Sequence, residues 1–192
     1  DAIWIAAKIV SAIQEMISRE LDALCPVVVS FGKIEGGKAF NVIADRVKLL
    51  GTVRCLDANL TKTLPDWLEN KIKSVAASFG AEALVTYTLI APPIFNDPGL
   101  TSLLEESAKS LLGEEKVKRL NLPSLGAEDF AEFLEDVPGT MFRLGVAPPK
   151  GCPPLHNGAF APDEKSLEIG INVIFQTLLS WMKNQQNNHS SE

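Results

Sequence analysis

The sequence has few of the residues from which metal and redox sites are built. Only two of its 192 residues are histidines and three are cysteines, and no two cysteines have the CxxC spacing. An odd number of cysteines without that spacing argues against a disulfide framework and favours structural thiols in a reducing compartment. We therefore expect a cytoplasmic protein in which Cys55 is a small core residue.

The chain also lacks an excess of positive charge and long apolar runs. Lys and Arg number 18 against 24 Asp and Glu, for a net charge of -6. With no basic stripe, we expect no nucleic acid and no anionic membrane as partner. Apolar stretches are interrupted well before the ~18 residues that would span a bilayer. With no basic segment ahead of the first helical pattern, we expect no signal peptide.

What the first half contains is an alternation of helix and strand patterns. The predicted elements, in chain order, are a helix with Ile5, Ile9, Ile13 and Ile17 on one face, a strand at Val27–Ile34, a strand from Arg46 to Cys55, a helix from Thr63 to Gly80, and a strand at Ala83–Ile90. Gly51 predicts a bulge or a close backbone approach. This order is that of a ferredoxin-like unit without its first strand. Together with a helical pattern that starts at Asp1, it predicts that an N-terminal part is absent.

A proline-rich segment, residues 92–98, predicts a domain boundary that separates residues 1–96 from residues 97–192. The elements predicted beyond it are a helix capped by Asp97 and ending at Gly113, a strand at 117–120, a helix at 127–134, a strand at 140–146, and a final helix whose core face is Leu167, Ile171, Ile174, Leu178 and Trp181. We expect the polar tail from Asn184 to be frayed, which makes His189 a poor ligand candidate.

Four polar residues are candidates for chemistry, and each has a simpler structural interpretation. His156 lies in a proline-rich loop and could bind a metal, although a loop histidine is more often a surface residue. Asn41 could direct a donor and an acceptor at a substrate or serve as a turn residue. Arg54 could clamp a carboxylate or face solvent, and Glu128 could border a site or cap a helix. Since the sequence holds no other ligand cluster, a metal site at His156 would need ligands from outside this chain.

Six short segments in order resemble the metal-dependent amidohydrolases that include hippurate hydrolases, N-acyl-amino-acid amidohydrolases and plant auxin-conjugate hydrolases. The segments are Val28–Ile34, Phe40–Ile43, Gly51–Arg54, Pro92–Pro93 with Asn96–Asp97, Gly126–Phe130, and Leu155–His156 with Phe160 and Asp163–Glu164. The resemblance implies an α/β protein: a ferredoxin-like α+β lid, or dimerisation domain, over residues 1–96, followed by the C-terminal part of a zinc-peptidase-like α/β catalytic domain over residues 97–192.

The resemblance also implies roles for the four candidates. His156 matches the last histidine ligand of a paired centre of divalent metal ions, Zn or Mn. Asn41 and Arg54 match lid positions that face the substrate, and Glu128 matches an acidic motif that borders the pocket. The family's Cys/His metal motif, its Glu-Glu pair with the general base, and its lid histidine would all lie upstream of Asp1, and Ala44 stands where the family usually has proline.

We therefore expect this chain to be part of a hydrolase that cleaves the amide bond of small N-acyl amino acids. The isolated chain should be inactive and should not hold the metals alone, because the missing N-terminal catalytic segment would supply the other ligands. A homodimer through the lid is expected. The alternative is a non-catalytic dimerisation or interaction module derived from such an enzyme.

Overall fold

The structure, a computed structural model, describes residues 1–189, with side chains through residue 187, and its fold is mixed α/β as predicted. The elements, in chain order, are α1 (Ala2–Glu20), β1 (Val27–Gly36), β2 (Val47–Cys55), α2 (Ala58–Ser78), α3 (Pro98–Leu112), a single 3-10 turn (Glu114–Lys116), α4 (Phe130–Asp136) and α5 (Lys165–His189). They belong to two compact units. Unit 1 contains Asp1–Ile94 with Ser124–Glu132, and unit 2 contains Phe95–Pro123 with the chain from Phe133 onward.

The core of unit 1 lies between α1, α2 and the two strands. The Asp1 carboxylate caps α1 by accepting hydrogen bonds from the backbone N–H groups of Ile3 and Trp4, at 3.1 and 3.2 Å. The isoleucine face predicted for this helix is confirmed, since its first three members are buried. Buried residues of this core are Ile5, Ile9, Ile13, Met16, Val29, Leu64, Leu68 and Ala76.

Strands β1 and β2 form an antiparallel pair that contains a bulge. Gly36 lies opposite Val47, and the register shifts between Phe31 and Lys33, so that Gly32 is the extra residue. Across from the bulge, a Cβ atom on Gly51 would lie 2.5 Å from the carbonyl oxygen of Ser30. The close backbone approach predicted at Gly51 is therefore confirmed, and the extra residue belongs to the neighbouring strand.

Helix α2 begins earlier than the sequence pattern predicted. Asp57, rather than Thr63, is the N-cap, because its carboxylate accepts a 2.7 Å hydrogen bond from the N–H of Leu60. Pro65 consequently lies inside the helix, where it removes one backbone donor. The helix continues past Pro65 despite the lost donor, and the neighbouring Leu64 is fully buried. Gly80, with φ 70°, ends the helix as predicted.

The strand predicted at residues 83–90 is wrong as a strand. Residues 81–88 alternate in exposure, with Ala81, Ala83 and Tyr87 packed against the core of unit 1. No neighbouring backbone among the described residues pairs with this segment, however, and a strand requires a hydrogen-bonded ladder. The segment thus has the alternating exposure of a strand, but no neighbouring strand among the described residues pairs with it.

Unit 2 is organised around α3 and α5, which pack against each other. Asp97 caps α3 with a 2.7 Å hydrogen bond from the N–H of Leu100, Pro98 is its first residue, and Gly113 follows its end, as predicted. Helix α4 begins at Phe130 and not at Ala127, since the first backbone bonds of this turn are accepted by Glu128 and Asp129.

The strands predicted at residues 117–120 and 140–146 are absent from the described residues. Residues 142–147 nevertheless alternate in exposure. The side chain of Asn96 pairs with both backbone groups of Met141, donating to its carbonyl at 3.0 Å and accepting from its N–H at 2.9 Å. Next to this pairing, the N–H of Asp97 donates a 2.8 Å hydrogen bond to the carbonyl of Gly139. The hydrogen bonds of Asn96 and Asp97 are therefore found where a strand ladder was predicted.

The core face predicted for α5 is wrong. The buried residues of this helix are Ser166, Gly170 and Val173, a row of small or β-branched side chains. The larger apolar side chains of the predicted face lie beside that row and are exposed. The helix extends to His189, so the predicted fraying from Asn184 is also wrong up to that residue. The His189 side chain and residues 190–192 lie outside the described part of the chain.

Candidate functional site

His156 occupies a tight turn in unit 2 and is exposed to solvent. The N–H of Asn157 donates to the carbonyl of Pro154 at 3.3 Å, and the Asn157 side chain accepts from the N–H of Ala159 at 2.9 Å. With φ 67°, His156 is the one described residue other than glycine that has a left-handed backbone. Such a conformation costs of the order of 1–3 kcal/mol and is found more often at functional sites than elsewhere.

The described residues do not form a metal centre by themselves. No group of three or more His, Cys, Asp or Glu side chains converges anywhere in residues 1–187. The imidazole of His156 has no hydrogen-bond partner within the same residues. A transition metal needs about four ligands or more, and one imidazole supplies a single position. A metal at His156 would therefore require ligands that this part of the chain does not provide.

Arg54 lies on the exposed side of β2, opposite Val28 of β1. Its Nη1 donates a 2.7 Å hydrogen bond to the carbonyl oxygen of Leu125. No carboxylate of the described residues lies within ion-pair distance of its guanidinium. A guanidinium has five donors, so one bond to a carbonyl fixes its position and leaves the others available for a planar anion.

Asn41 lies in the loop that joins β1 to β2, in a turn closed by a 3.2 Å bond from the N–H of Val42 to the carbonyl of Ala39. The loop is fastened at Ala44, which is buried and accepts a 3.0 Å bond from the N–H of Ala2. Asn41 thus lies in a turn, but its side chain does not hydrogen-bond its own backbone, as the turn interpretation had expected. Its side-chain amide forms no hydrogen bond within the described residues, so it remains available to a ligand.

Glu128 lies two residues before α4, where it has a local structural role. Its carboxylate accepts a long hydrogen bond, 3.4 Å, from the N–H of Phe130, and its carbonyl accepts from the N–H of Ala131 at 3.2 Å. The capping interpretation is therefore supported. The side chain is otherwise exposed, and it stands three residues after Leu125, the residue that Arg54 contacts.

The structure thus brings Arg54 together with the segment that carries Glu128, and places Asn41 in the same unit without a hydrogen bond to either. His156 belongs to unit 2. Sequence reasoning did not anticipate the double pairing of Asn96 with Met141. The signal was the Asn-Asp-Pro run: an asparagine directly before a helix cap can turn its amide toward a neighbouring backbone.

One perturbed carboxylate lies in unit 2, away from these candidates in sequence. Hydrogen bonds from Arg119, at 2.6 Å, and from Lys109 lower the pKa of Glu105 from its ordinary value to about 2. The same interactions raise the pKa of Lys109. This cluster joins α3 to the segment after it and has the character of a surface ion-pair network, not of a catalytic acid.

Comparison with known proteins identifies the family. The sequence model of peptidase family M20/M25/M40 matches residues 6–180. The chain belongs to this family. The resemblance to metal-dependent amidohydrolases is thereby confirmed at the family level, whereas the hippurate and auxin-conjugate subgroup is not distinguished.

Several M20 relatives match almost the whole chain. A protein of Synechocystis described as a probable hydrolase is 41% identical over 186 residues, which cover 96% of this chain and 47% of the relative. An N-acetyldiaminopimelate deacetylase of Geobacillus is 30% identical over 184 residues, again 96% of this chain and 47% of the relative. The chain therefore spans about half the length of the curated relatives it matches.

A solved M20 structure has the same fold. The crystal structure of a Bacillus subtilis protein described as a dinuclear metal-binding peptidase of the M20 family superposes with a TM-score of 0.76 at 27% identity. The superposition covers 95% of this chain and 46% of that chain. Within the described residues of the present chain, no helix is both long and apolar enough to cross a membrane.

Proposed function

We propose that this M20 chain is the lid and C-terminal catalytic portion of a metal-dependent hydrolase that cleaves the amide bond of small N-acyl amino acids. The observation that carries the proposal is His156: an exposed imidazole, without a partner among the described residues, on a left-handed backbone in a proline-bounded turn. Packing does not require an imidazole there, and a strained exposed residue is more readily explained by a ligand than by stability.

His156 would contribute one ligand to a centre of two divalent metal ions, Zn or Mn. The solved relative described as dinuclear supports the number of ions. Such ions, when bound, polarise an amide carbonyl and lower the pKa of a bound water. Because the described residues form no cluster of three ligands, the remaining ligands would come from the half of the relatives that this chain does not cover.

The substrate would be held by unit 1. Arg54, fixed by the carbonyl of Leu125, would bind the carboxylate of an N-acyl amino acid through its remaining donors. Asn41 would supply an amide donor or acceptor from its anchored loop. Glu128 would border the substrate and orient its polar groups, since its carboxylate makes only one long hydrogen bond, to the N–H of Phe130.

The proposal also assigns a role to each of the two predicted domains. Residues 1–96 would form the lid, and residues 97–192 would belong to the catalytic domain. The lid would also form a homodimer, because a sheet of two strands has an open edge on each strand, and open edges favour pairing with another chain. A cytoplasmic location is part of the proposal and agrees with three unpaired cysteines.

A second candidate function is a non-catalytic dimerisation or interaction module. The observation in its favour is the lack of any group of three metal ligands among the described residues. The two candidates differ in what happens when the rest of the relatives' length is supplied. An enzyme portion would then acquire metal-dependent activity, whereas an interaction module would not.

The experiment uses a relative-length protein, which we define as this sequence joined to the half of the Synechocystis relative that lies outside the match. Hydrolysis of N-acetyl and N-benzoyl amino acids is measured before chelation, after chelation and after divalent ions are restored. Dipeptides with a free amine serve as control substrates. We expect activity on the acylated amino acids that chelation abolishes and metal restores. Hydrolysis that survives chelation, or that is confined to the dipeptides, would contradict the proposal.

A further inference from the structure

Two of the three cysteines lie in unit 1, at the same end of the β1–β2 pair. Cys55 is the last residue of β2 and lies opposite Val27, the first residue of β1. Cys25 precedes Val27 by two residues. Residues two apart on an extended chain point to the same side, and residues opposite each other across a ladder share that side too. Cys25 is therefore a diagonal neighbour of Cys55.

The exposure of the chain around Cys25 supports this placement. Cys25, Val27 and Val29 are shielded from solvent, whereas the residues between them are exposed. Pro26 follows Cys25, and a residue before proline is biased toward extended backbone, so the alternation continues past the end of the ladder. Cys55 is half-buried and packs against the core of unit 1. Both thiols thus lie on the side of the strand pair that faces this core.

The electrostatic environment of Cys25 also includes the second thiol. Burial and the negative charges of Asp22 and Asp57 raise the pKa of the Cys25 thiol, and the thiolate of Cys55 raises this pKa further. The influence of one charge on another falls off over roughly 10 Å at moderate ionic strength. The two sulfur atoms are therefore close enough to interact. The third cysteine, Cys152, belongs to unit 2.

A disulfide between Cys25 and Cys55 needs only a small shift of the chain. Diagonal neighbours in a ladder have Cα atoms about 7–8 Å apart, and a disulfide requires about 4.4–6.8 Å. Cys55 is held by the ladder and by the N–H of Asp57, which donates to its Sγ at 3.4 Å. Cys25 lies outside the ladder, in a turn closed by a 3.0 Å bond from its N–H to the carbonyl of Asp22. A shift of roughly 1–2 Å can therefore occur in this turn and leave the ladder intact.

We propose that Cys25 and Cys55 are a reversible oxidation site, at which a low-molecular-weight disulfide such as glutathione disulfide converts the two thiols to an intramolecular disulfide. One cysteine thiolate attacks glutathione disulfide, a mixed disulfide forms, and one glutathione thiolate leaves. The other cysteine then attacks the protein sulfur of the mixed disulfide and releases the second glutathione thiolate. The cysteine pair loses two electrons to glutathione disulfide, and its two protons pass to the two glutathione thiolates.

The bond would connect the turn after α1 to the start of α2. The thiol of Cys55 donates a 3.5 Å hydrogen bond to the carbonyl of Asp57, the residue that caps α2. Oxidation removes the proton of this bond and ties Cys55 to the turn at Cys25. Disulfides in reducing compartments are usually transient and redox-sensing, and both thiols are free in the present structure. The site goes beyond the proposed function and requires neither metal nor substrate.

The test incubates the folded chain with mixtures of reduced and oxidised glutathione, alkylates the remaining thiols and maps disulfides by peptide mass spectrometry. The wild-type chain should lose the mass of two hydrogen atoms and give one cross-linked peptide pair that contains Cys25 and Cys55. Cys152→Ser, the matched control, should form the same bond at the same glutathione ratio. Cys25→Ser and Cys55→Ser should each form no intramolecular bond.

Two features of the variants keep the test decisive. Far-UV circular dichroism of each reduced variant shows whether the chain is folded. Cys25 lies in the turn and not in the ladder, so Cys25→Ser tests the pair even where Cys55→Ser weakens the fold. Excess dithiothreitol should return the oxidised wild-type chain to three free thiols, since the proposed bond is reversible.

The same titration in urea that unfolds the chain separates native proximity from random encounter. In an unfolded chain the effective concentration of one thiol near another depends only on the length of the intervening loop. In the folded chain the two thiols are held on one side of the strand pair. We therefore expect the equilibrium constant of the Cys25–Cys55 bond with glutathione to be at least tenfold larger in the folded chain.

Three outcomes would overturn the inference. The first is a folded chain that stays reduced, or that gains glutathione at Cys25 or Cys55 without a cross-link. The second is a Cys25–Cys55 bond that is less than tenfold more stable in the folded chain than in urea. The third is a disulfide between two chains as the main product, seen as a dimer on a non-reducing gel. These measurements involve no hydrolysis, so their failure leaves the proposed function untouched.

Discussion

Replacement of Arg54 by lysine tests the proposed carboxylate clamp, because it keeps the charge and removes the planar fork. The Nη1 bond to the Leu125 carbonyl, 2.7 Å long, can be replaced by an ammonium, so the position of the charge is largely preserved. What is lost is the pair of parallel N–H donors that fits a carboxylate. Loss of such a charge-assisted pair is worth roughly 1–3 kcal/mol, or about 5- to 150-fold in kcat/KM.

The assay compares two substrates of the relative-length protein, an N-acyl amino acid and its C-terminal amide. Arg54→Lys should lower kcat/KM on the first by the stated factor and change the second by less than about twofold. Arg46→Lys, at an exposed arginine just before the same strand, is the matched control and should affect neither substrate. Equal losses on both substrates would show that Arg54 acts through the segment at Leu125, as a structural residue.

Two further predictions concern stability and are measured on the chain as it stands. Ile13→Ala should lower the free energy of unfolding by about 2–5 kcal/mol in urea denaturation, because Ile13 is fully buried. Ile3→Ala, at a residue that is 46% exposed, should lower it by less than about 1.5 kcal/mol. Similar losses at both positions would refute the assignment of the core. Glu105 has a pKa lowered from 4.5 to about 2 by Arg119 and Lys109, so its charged form stabilises the fold above the unfolded pKa. The difference in unfolding free energy between wild type and Glu105→Gln should thus be constant above about pH 5.5 and shrink as pH falls from 4.5 toward 2, and a difference independent of pH over that range would contradict this role.

Helix ends and the first helix were predictable because their causes are local. The isoleucine spacing of α1 and the caps at Asp97 and Gly80 involve residues within a few positions of one another. The start of α2 was missed for an equally local reason. Two capping residues, Asp57 and Thr63, compete in the sequence, and the presence of Pro65 favoured the wrong one.

The strands and the face of α5 were not predictable in the same way, because they depend on partners distant in sequence. The segment predicted as a strand at residues 140–146 alternates in exposure from residue 142 onward, but the sequence could not supply the neighbour that makes a strand. On α5, apolar size identified Ile171 and its companions as a buried face, while the contact with Leu144 selected the row at Gly170 instead. The pattern in both places describes a surface that is suited to burial but is not buried within the described residues.

The site residues also differ in how much of their structure the sequence alone could predict. Motif resemblance selected Arg54 and Glu128, and the structure brings Arg54 to the segment that carries Glu128. The left-handed backbone of His156 had only a weak sequence signal, since histidine is enriched at positive φ but most histidines do not adopt it. Its functional assignment thus depends on resemblance for the residue and on the structure for the strain.

The most direct test of the proposed function is the metal content of three forms: the relative-length protein, its His156→Asn variant and the isolated chain. Asparagine tolerates the left-handed backbone of this position, so the variant removes the imidazole with little change in the turn. Leu155→Ala, at a neighbouring residue that is 69% exposed, is the control. We expect wild type and control to bind two ions per chain, as in the dinuclear relative, His156→Asn to lose at least one, and the isolated chain to bind none tightly. A fully loaded His156→Asn protein, or an isolated chain that retains stoichiometric metal through dialysis, would contradict the assignment.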